Sequence, residues 1–504
     1  MKEKLINKNT IYFLLLLYFI ISLLYLNNYP YMHSDESWLS GLSVSIMKSG
    51  YSSTEYFFDL YPRFPHAIKI LFHTIQIGFI NMFGYSLFSV RLISLVFATA
   101  SLSAFYKIVL LLTDRINVSL LASLLLGVDI QFLYASHFAR QEIIILFITL
   151  LCLYFVLRNI REWSNKVDYL LGVIIGLSIG IHPNSFIIAL MIGSVYLYLI
   201  IIKRVSVLNL LRLVLTVSGF AVLFVGISFL LDHDFINHYL SYGDTMGVTK
   251  RGLEKVFYFN DFYLQLFNQD SVTYYMPPIK LQFILFGIVL VFGALKVIRK
   301  NENGIFIAMI VAYNVGLVLI GRFSQPGIVI IFPIFYLLLI HSIDKFKLII
   351  IMTVLLITTG LSVQEVSRVA SNQYDEYLSK IDDVIDDDAI VLGNLNTEYV
   401  MTYKKFFDYR NLGFNEGSFE DYINYNEIEY IIYSEEMDYI YENRPTWNFL
   451  YGNLFPYYEE MKLFLEECVV VKSFDSFYSM RIVKLAETKD WRVTIYRVVR
   501  KEYE

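Results

Sequence analysis

The sequence predicts an α-helical multi-pass membrane protein with about eleven transmembrane helices and a small C-terminal α/β domain outside the bilayer. Three observations carry this reading. Of the 504 residues, 56% are hydrophobic and only 17% are charged, where a soluble chain carries about a quarter, and the mean hydropathy is +0.53. Apolar stretches of about 15 to 26 residues recur over residues 11–362, and roughly 20 such residues cross a hydrocarbon core about 30 Å thick. Beyond residue 362 the spans stop and short apolar runs replace them, which divides the chain into a membrane domain (1–362) and a further domain (363–504).

The first apolar stretch, 11–26, follows Lys2, Lys4 and Lys8 and so has the flank of a signal peptide. Its tyrosine-bearing core and the lack of a small-x-small cleavage site argue for a retained helix. Further spans are expected over 88–112, 117–134, 141–158, 169–181, 185–202, 207–231, 281–298, 304–321, 327–341 and 346–362. Their connections alternate in charge. About fifteen Lys and Arg residues, from Lys2 to Lys347, fall on one side in the short connections, whereas only Arg140 and Arg322 fall on the other, so the basic side is cytoplasmic. Residues 66–83 are apolar too, but His66, Lys69, His73 and Gln76 form one polar stripe at three- and four-residue spacing. That stripe fits an amphipathic helix at the interface. A crossing there would move every later basic loop outside.

After residue 362 the pattern is acidic and tyrosine-rich. "DDDAIVLGN", "EIEYIIYS", "CVVVKSF" and "WRVTIYRVV" read as strands, and "NTEYVMTYKK" and "YYEEMKLFLEE" as helices. The loop 232–280 is also external, and it is too long for a plain connector. The two cysteines, Cys152 and Cys468, make neither a disulfide framework nor a metal scaffold. No basic patch is present, so nucleic acid is not an expected partner.

Charged residues collect in the short turns of the external side. Asp35 and Glu36 lie in "YMHSDESWLSG", about nine residues past the first span. Ser34 or Asp35 there is placed to cap a helix, with Glu36 in its first turn, and a carboxylate fixed at a helix N-terminus is also placed for chemistry. Arg63 is held between Pro62 and Pro65, where a guanidinium meets a phosphate or a lipid headgroup. Arg140 and Glu142 occupy "SHFARQE", His182 occupies "GIHPNS" and Arg322 occupies "LIGRFSQPG". Carboxylates beside arginines at headgroup depth suit an activated sugar carried on a lipid phosphate. The phosphate needs cations and the acceptor hydroxyl needs a base. His33, Asp35 and Glu36 could hold a divalent metal loosely, but no dedicated metal cluster is present and no cofactor is required.

Taken in order, these stretches resemble a known family. The Asp-Glu pair after the first span, "PRFPHAIKILF", then "FGYSLFSVRLISLVFATASLSAFYKIVLLL" with Gly84, Arg91 and Leu92, are similar to the GT-C membrane glycosyltransferases, above all the dolichyl-phosphate-mannose protein mannosyltransferase and lipid A aminoarabinose transferase group. "ASHFARQE", "GLSIGIHPN" and "GRFSQPGIVIIFPIF" resemble the family's later outer turns. The resemblance implies a multi-spanning fold with interfacial helices in the first external loop. It also implies inverting transfer of a sugar from a polyprenyl-phosphate donor to a lipid, protein or cell-wall glycan acceptor. By the same resemblance Asp35 is the catalytic aspartate and Glu36 its neighbour, while Arg63, Arg140, Glu142, His182 and Arg322 contact donor phosphate or substrate. Two departures stand out: the family's paired prolines are split as Pro62 and Pro65, and His182 replaces a frequent lysine. The rival from another class is a lipid or glycan transporter. It would favour ionisable residues in mid-span, and only Asp129, in "LLGVDIQFL", is so placed.

Overall fold

The computed structural model describes residues 9–50, 64–245, 253–270, 274–300, 304–321, 324–342, 347–371, 374–400, 405–409, 412, 415–443, 457–478 and 490–500. Arg63 and Arg322 lie outside the described residues. Each of the eleven apolar stretches is helical. Helix α1 (Thr10–Leu24) leads to α2 (Ser34–Ser49), which carries the acid pair, and α3 (Ile70–Phe83) precedes the long α4 (Leu87–Thr113). Then come α5 (Ile116–Gly127), α6 (Ile130–Ser136), α7 (Glu142–Asn159), α8 (Asn165–Ser178), α9 (Ser185–Ile201) and α10 (Val207–Leu231). The long loop folds into α11 (Phe235–Thr245) and α12 (Leu253–Asn268). Helices α13 (Lys280–Lys300), α14 (Gly304–Ile320), α15 (Phe332–Ser342) and α16 (Lys347–Val369) complete the bundle. Five helical stretches among the described residues are long and apolar enough to cross a bilayer, or six if the bent pair α5–α6 is one span.

That pair corrects the expectation of a straight helix over 117–134. The chain bends by 68° between α5 and α6, because Asp129 takes an extended conformation and caps α6, accepting from the backbone N–H of Gln131 (2.9 Å) and Phe132 (3.2 Å). Its other oxygen accepts from Tyr336 Oη at 2.7 Å and Gln282 at 3.3 Å. The mid-span charge is therefore a structural cap with a full set of donors.

The helices pack around α15, where Phe332, Pro333, Ile334 and Tyr336 to Ile340 are all buried. The outermost helices show lipid-type exposure instead: Leu208, Leu211, Leu215, Val222 and Leu230 of α10 face outward. Helix α8 approaches α10 through glycines at four-residue spacing. A Cβ at Gly172 would stand 2.5 Å from Thr216, and one at Gly176 2.5 Å from Phe220, so only glycine permits this approach. Gly180 continues the series, and its carbonyl accepts from the N–H of Leu71 (2.8 Å) and Phe72 (3.2 Å). The start of α3 is thereby pinned to the turn that holds His182.

The predicted stripe of His66, Lys69, His73 and Gln76 is only half on a helix. Lys69 has φ +79°, a left-handed conformation, and α3 begins after it. His73 and Gln76 are buried against α2, where Ser43 Oγ lies 2.8 Å from His73 Nδ1 and donates to Gln76 Oε1 at 2.6 Å. These polar groups serve helix pairing and do not face water.

Helix α17 (Tyr374–Asp382) leads into a five-stranded mixed sheet, with β1 (Ile390–Gly393), β2 (Lys405–Asp408), β3 (Tyr430–Ser434), β4 (Val469–Ser476) and β5 (Trp491–Arg497) in the order β2-β1-β3-β5-β4. β1 runs parallel to β2 and β3, and β5 antiparallel to β3 and β4. Helices α18 (Phe419–Tyr425), α19 (Glu436–Asn443) and α20 (Tyr458–Glu466) share an apolar core with one face of the sheet. Of "NTEYVMTYKK", expected as a helix, the described residues form a 3-10 turn, Leu395–Val400, and the start of β2 at Lys405, while 401–404 lie outside the described residues. The other face shares a core with Met32, Ile80, Leu87, Val90 and Ala139 of the bundle. Tyr399 Oη and Tyr85 Oη reach Ser40 of α2 at 3.0 and 3.2 Å, so the sheet sits directly over the helix that carries the acid pair.

Candidate functional site

The site lies where α2, the turn 137–141, the loop before α13 and the start of the Gln325–Ile331 turn converge beneath the sheet. Helix α2 is capped by His33 and not by Ser34 or Asp35: His33 Nδ1 accepts from Asp35 N–H at 3.0 Å, and Glu36 Oε2 accepts from His33 N–H at 3.1 Å. This box frees the Asp35 side chain from capping.

Glu36 is completely buried and faces Arg91 of α4 in a bidentate pair, with Nε to Oε1 and Nη2 to Oε2 both at 2.8 Å. Ala139 N–H also donates to Oε1 at 2.9 Å. All four acceptor positions of the carboxylate are thus filled. Arg91 Nη1 turns back onto the carbonyls of Leu26, Asn27, Tyr29 and Pro30 at 2.9–3.3 Å. One buried guanidinium therefore ties the end of α1, the first turn of α2 and α4 together.

Asp35 points the other way. Its Oδ2 accepts from Arg140 Nη1 at 2.8 Å and from Tyr274 Oη at 2.5 Å. Arg140 Nη2 stands 3.1 Å from Glu142 Oε1, which also accepts from Ser324 Oγ at 3.0 Å. The Tyr274 ring stacks on His33 with centroids 4.5 Å apart, and the guanidinium carbon of Arg140 lies 5.3 Å from the Tyr274 ring centre. Burial opposes the charge on Arg140, but Glu142, Tyr274 and Asp35 outweigh it and push its pKa up, so the group stays cationic. Burial likewise raises the Tyr274 hydroxyl well above its ordinary value, which keeps it a proton donor to Asp35. Among the described residues, Arg140 Nε and Glu142 Oε2 are buried without a partner.

His182 is held by its own turn, with Asn184 N–H donating to Nδ1 at 3.0 Å. Burial, with Lys69 and Arg140 adding to it, drives the His182 pKa well below its ordinary value. The ring is therefore neutral at pH 7 and carries its proton on Nε2. The same repulsion puts Lys69 within charge interaction of His182, although the sequence offered it only as part of a polar stripe.

Asp35, Arg140 and Glu142 are thus brought into direct contact, His182 feels the charges of both Arg140 and Lys69, and Glu36 is turned away into the protein. Sequence reasoning missed Tyr274, Ser324 and the pairing of Arg91; the Asp35–Tyr274 contact spans 239 positions. Among the described residues no group of three His, Cys, Asp or Glu side chains could hold a metal. His33, Asp35 and Glu36 do not fit one, since Arg91 and Arg140 occupy the carboxylates.

The helices thus leave a carboxylate–guanidinium cluster at one end, under a small mixed sheet. Residues 68–230 match the dolichyl-phosphate-mannose-protein mannosyltransferase family, in keeping with the resemblance seen in the sequence. The chain is similar in fold to ArnT from Cupriavidus metallidurans bound to undecaprenyl phosphate, with TM-score 0.64 and 10% identity over 98% of this chain and 99% of that one. The apo state of the same protein gives TM-score 0.62 and 11% identity over 97% of each chain. No curated protein matches the sequence.

Proposed function

We propose that the protein transfers a sugar from a polyprenyl-phosphate donor to an acceptor hydroxyl at the external face of the membrane, with inversion. The observation that carries this reading is the Asp35–Arg140 contact, 2.8 Å long, in a chain whose residues 68–230 match a lipid-phosphate-sugar transferase family. Asp35 is the general base. The acceptor oxygen attacks the anomeric carbon as the bond from that carbon to the phosphate oxygen breaks, and the acceptor proton passes to Asp35. A single displacement inverts the centre.

Arg140 has two roles in this reading. Before the donor binds, it neutralises Asp35; with the donor present, the phosphate competes for the guanidinium, and the carboxylate is released to take a proton. Charge developing on the leaving phosphate is then met by Arg140 and Lys69, with Arg63 and Arg322 further contributors and His182 a neutral Nε2–H donor. Glu142 holds Arg140 through Nη2 and offers Oε2 to a sugar hydroxyl. Glu36 is a positioning residue.

In the same reading about eleven helices cross the membrane, the N-terminus is cytoplasmic, and residues 363–504 form an extracytoplasmic α/β domain. A transporter is not favoured, because Asp129, its one mid-span candidate, is used up in capping α6. The test is transfer of label from radiolabelled polyprenyl-phosphate sugars in the presence of membrane extract. Asp35→Asn is expected to bind donor and not turn it over. Full turnover by that variant would remove Asp35 as base, and failure of the wild type to bind or consume any polyprenyl-phosphate sugar would remove the enzyme class.

A further inference from the structure

Helix α12 has three faces where a helix of a soluble loop has two. At about 100° per residue, Phe259, Phe262, Tyr263 and Leu266 point into the protein, with Phe262 and Leu266 buried. They meet α13 and α14: Tyr263 Oη donates to Asn314 Oδ1 at 2.6 Å, and its ring lies 6.0 Å from that of Phe283. A second sector is polar, with Glu254, Asp261 and Asn268 exposed. The third sector holds Val256, Phe257, Leu264 and Phe267, which are 50%, 65%, 48% and 39% exposed. Of the residues described there, only Asn260 interrupts it.

We propose that this third face of α12 is seated in the lipid leaflet on the side of the membrane that carries the sheet. The occupant follows from continuity. Helix α12 packs on α13 and α14, whose exposed stripes (Ile284, Ile288, Val291 and Val311, Val315, Leu319) follow helical spacing and are left uncovered by the described residues. Two lysines mark the depth. Lys280, at the first turn of α13, places its ammonium 5.5 Å from the Phe267 ring centre, and Lys255 reaches the Leu319 carbonyl at the end of α14 with 2.7 Å. Lysines at the ends of apolar helices, with polar and apolar sectors side by side, are the pattern of a helix lying at headgroup level. The adjacent α11 exposes Ile236 and Leu240, one turn apart, in the same loop. Because Tyr274 follows α12 and bonds Asp35, the seat would tie the carboxylate cluster to the leaflet surface. The seat does not depend on the chemistry proposed above.

The wild-type protein in phospholipid vesicles is to be photolabelled in two arms, with a diazirine-bearing phospholipid and with a water-soluble carbene precursor, and its peptides read by mass spectrometry. The peptide holding Val256 to Phe267 is expected to take the lipid label at a level comparable with α13. The exposed valines Val469, Val470 and Val471 of β4 serve as the aqueous control and should take only the soluble reagent. Replacing Phe257 and Leu264 by Glu should remove lipid labelling from the α12 peptide and leave that of α13 unchanged. Labelling of wild-type α12 by the soluble reagent at the level of β4 would overturn the proposal in favour of a solvated face. Labelling by neither reagent would overturn it in favour of a protein partner or a second copy.

Discussion

Glu36 and Arg91 form a bidentate pair with no exposure to solvent, and neither partner has a lone pair or proton facing the site. Such a pair contributes specificity of position more than net stability, but breaking it strands a buried charge at a cost of about 3–5 kcal/mol. Glu36→Ala and Arg91→Ala are therefore expected to lower the unfolding temperature in detergent sharply. Arg91→Lys should rescue little, because one ammonium cannot span two carboxylate oxygens and the Leu26–Pro30 carbonyls together. A Glu36→Gln variant that unfolded like wild type yet lost all turnover would point to a chemical role for this residue.

Asp35 is separated from that scaffold, and its variants should separate from it too. Asp35→Asn is expected to keep the fold and lose about 10²- to 10⁴-fold in kcat, the usual range for a general base. Tyr274→Phe removes one neutral donor, worth about 1 kcal/mol, so a fall in kcat of roughly fivefold with donor KM unchanged is expected. Arg140→Ala should raise donor KM as well as lower kcat. Single-turnover and steady-state kinetics with one donor distinguish these patterns. If Arg140→Ala leaves donor affinity untouched, the competition between phosphate and Asp35 for the guanidinium fails.

Much of this architecture is legible in the chain because it rests on local pattern. Apolar stretches mark each bundle helix, turn residues isolate Arg140 with Glu142, and the alternating runs after residue 362 give β1, β3, β4 and β5. What is not legible depends on distant partners. Tyr274 sits in a loop with no periodic signal, and only the folded chain brings it to Asp35. The polar stripe at residues 66–76 is real, but Lys69 in a left-handed conformation splits it, sending His73 and Gln76 to α2 and leaving Lys69 near His182. Asp129 looks like an in-span charge until the 68° bend gives it backbone donors. His33 takes the cap because its ring nitrogen reaches the Asp35 N–H, a possibility that short-side-chain capping preferences pass over.

Two histidines at the site side, His137 buried and His182 half-buried, set a pH dependence of folding. His137, in the turn after α6, is lowered to about 4 by burial, and His182 is lowered by burial and by Lys69 and Arg140. Both are neutral when folded at pH 7, whereas an unfolded histidine titrates near about 6.5. Below that value the unfolded state binds more protons, so stability rises with pH and is lost on acidification, for His137 between about 6.5 and 4. Each group contributes a slope of up to about 1.4 kcal/mol per pH unit. Thermal unfolding at pH 7 and pH 5 should show a large drop for wild type and a smaller one for His182→Asn. An equal drop in both would mean that His182 is protonated in the folded protein.

Asp129 provides the last test, because it separates a structural from a transport role. Its carboxylate caps α6 through two backbone donors and accepts from Tyr336 at 2.7 Å. Asp129→Ala removes the cap and leaves the buried Tyr336 hydroxyl without that acceptor, which costs about 1–3 kcal/mol. Asp129→Asn keeps one oxygen for the cap and should cost less. Turnover per folded molecule is expected to survive in both, since the residue lies at the bend of α5–α6 and none of its hydrogen-bond partners belongs to the Asp35–Arg140–Tyr274 cluster. The ranking is read from unfolding midpoints, and the activity from transfer normalised to folded protein. If Asp129→Asn folds like wild type but abolishes transfer, a charge in mid-membrane is part of the working cycle and the capping account is insufficient.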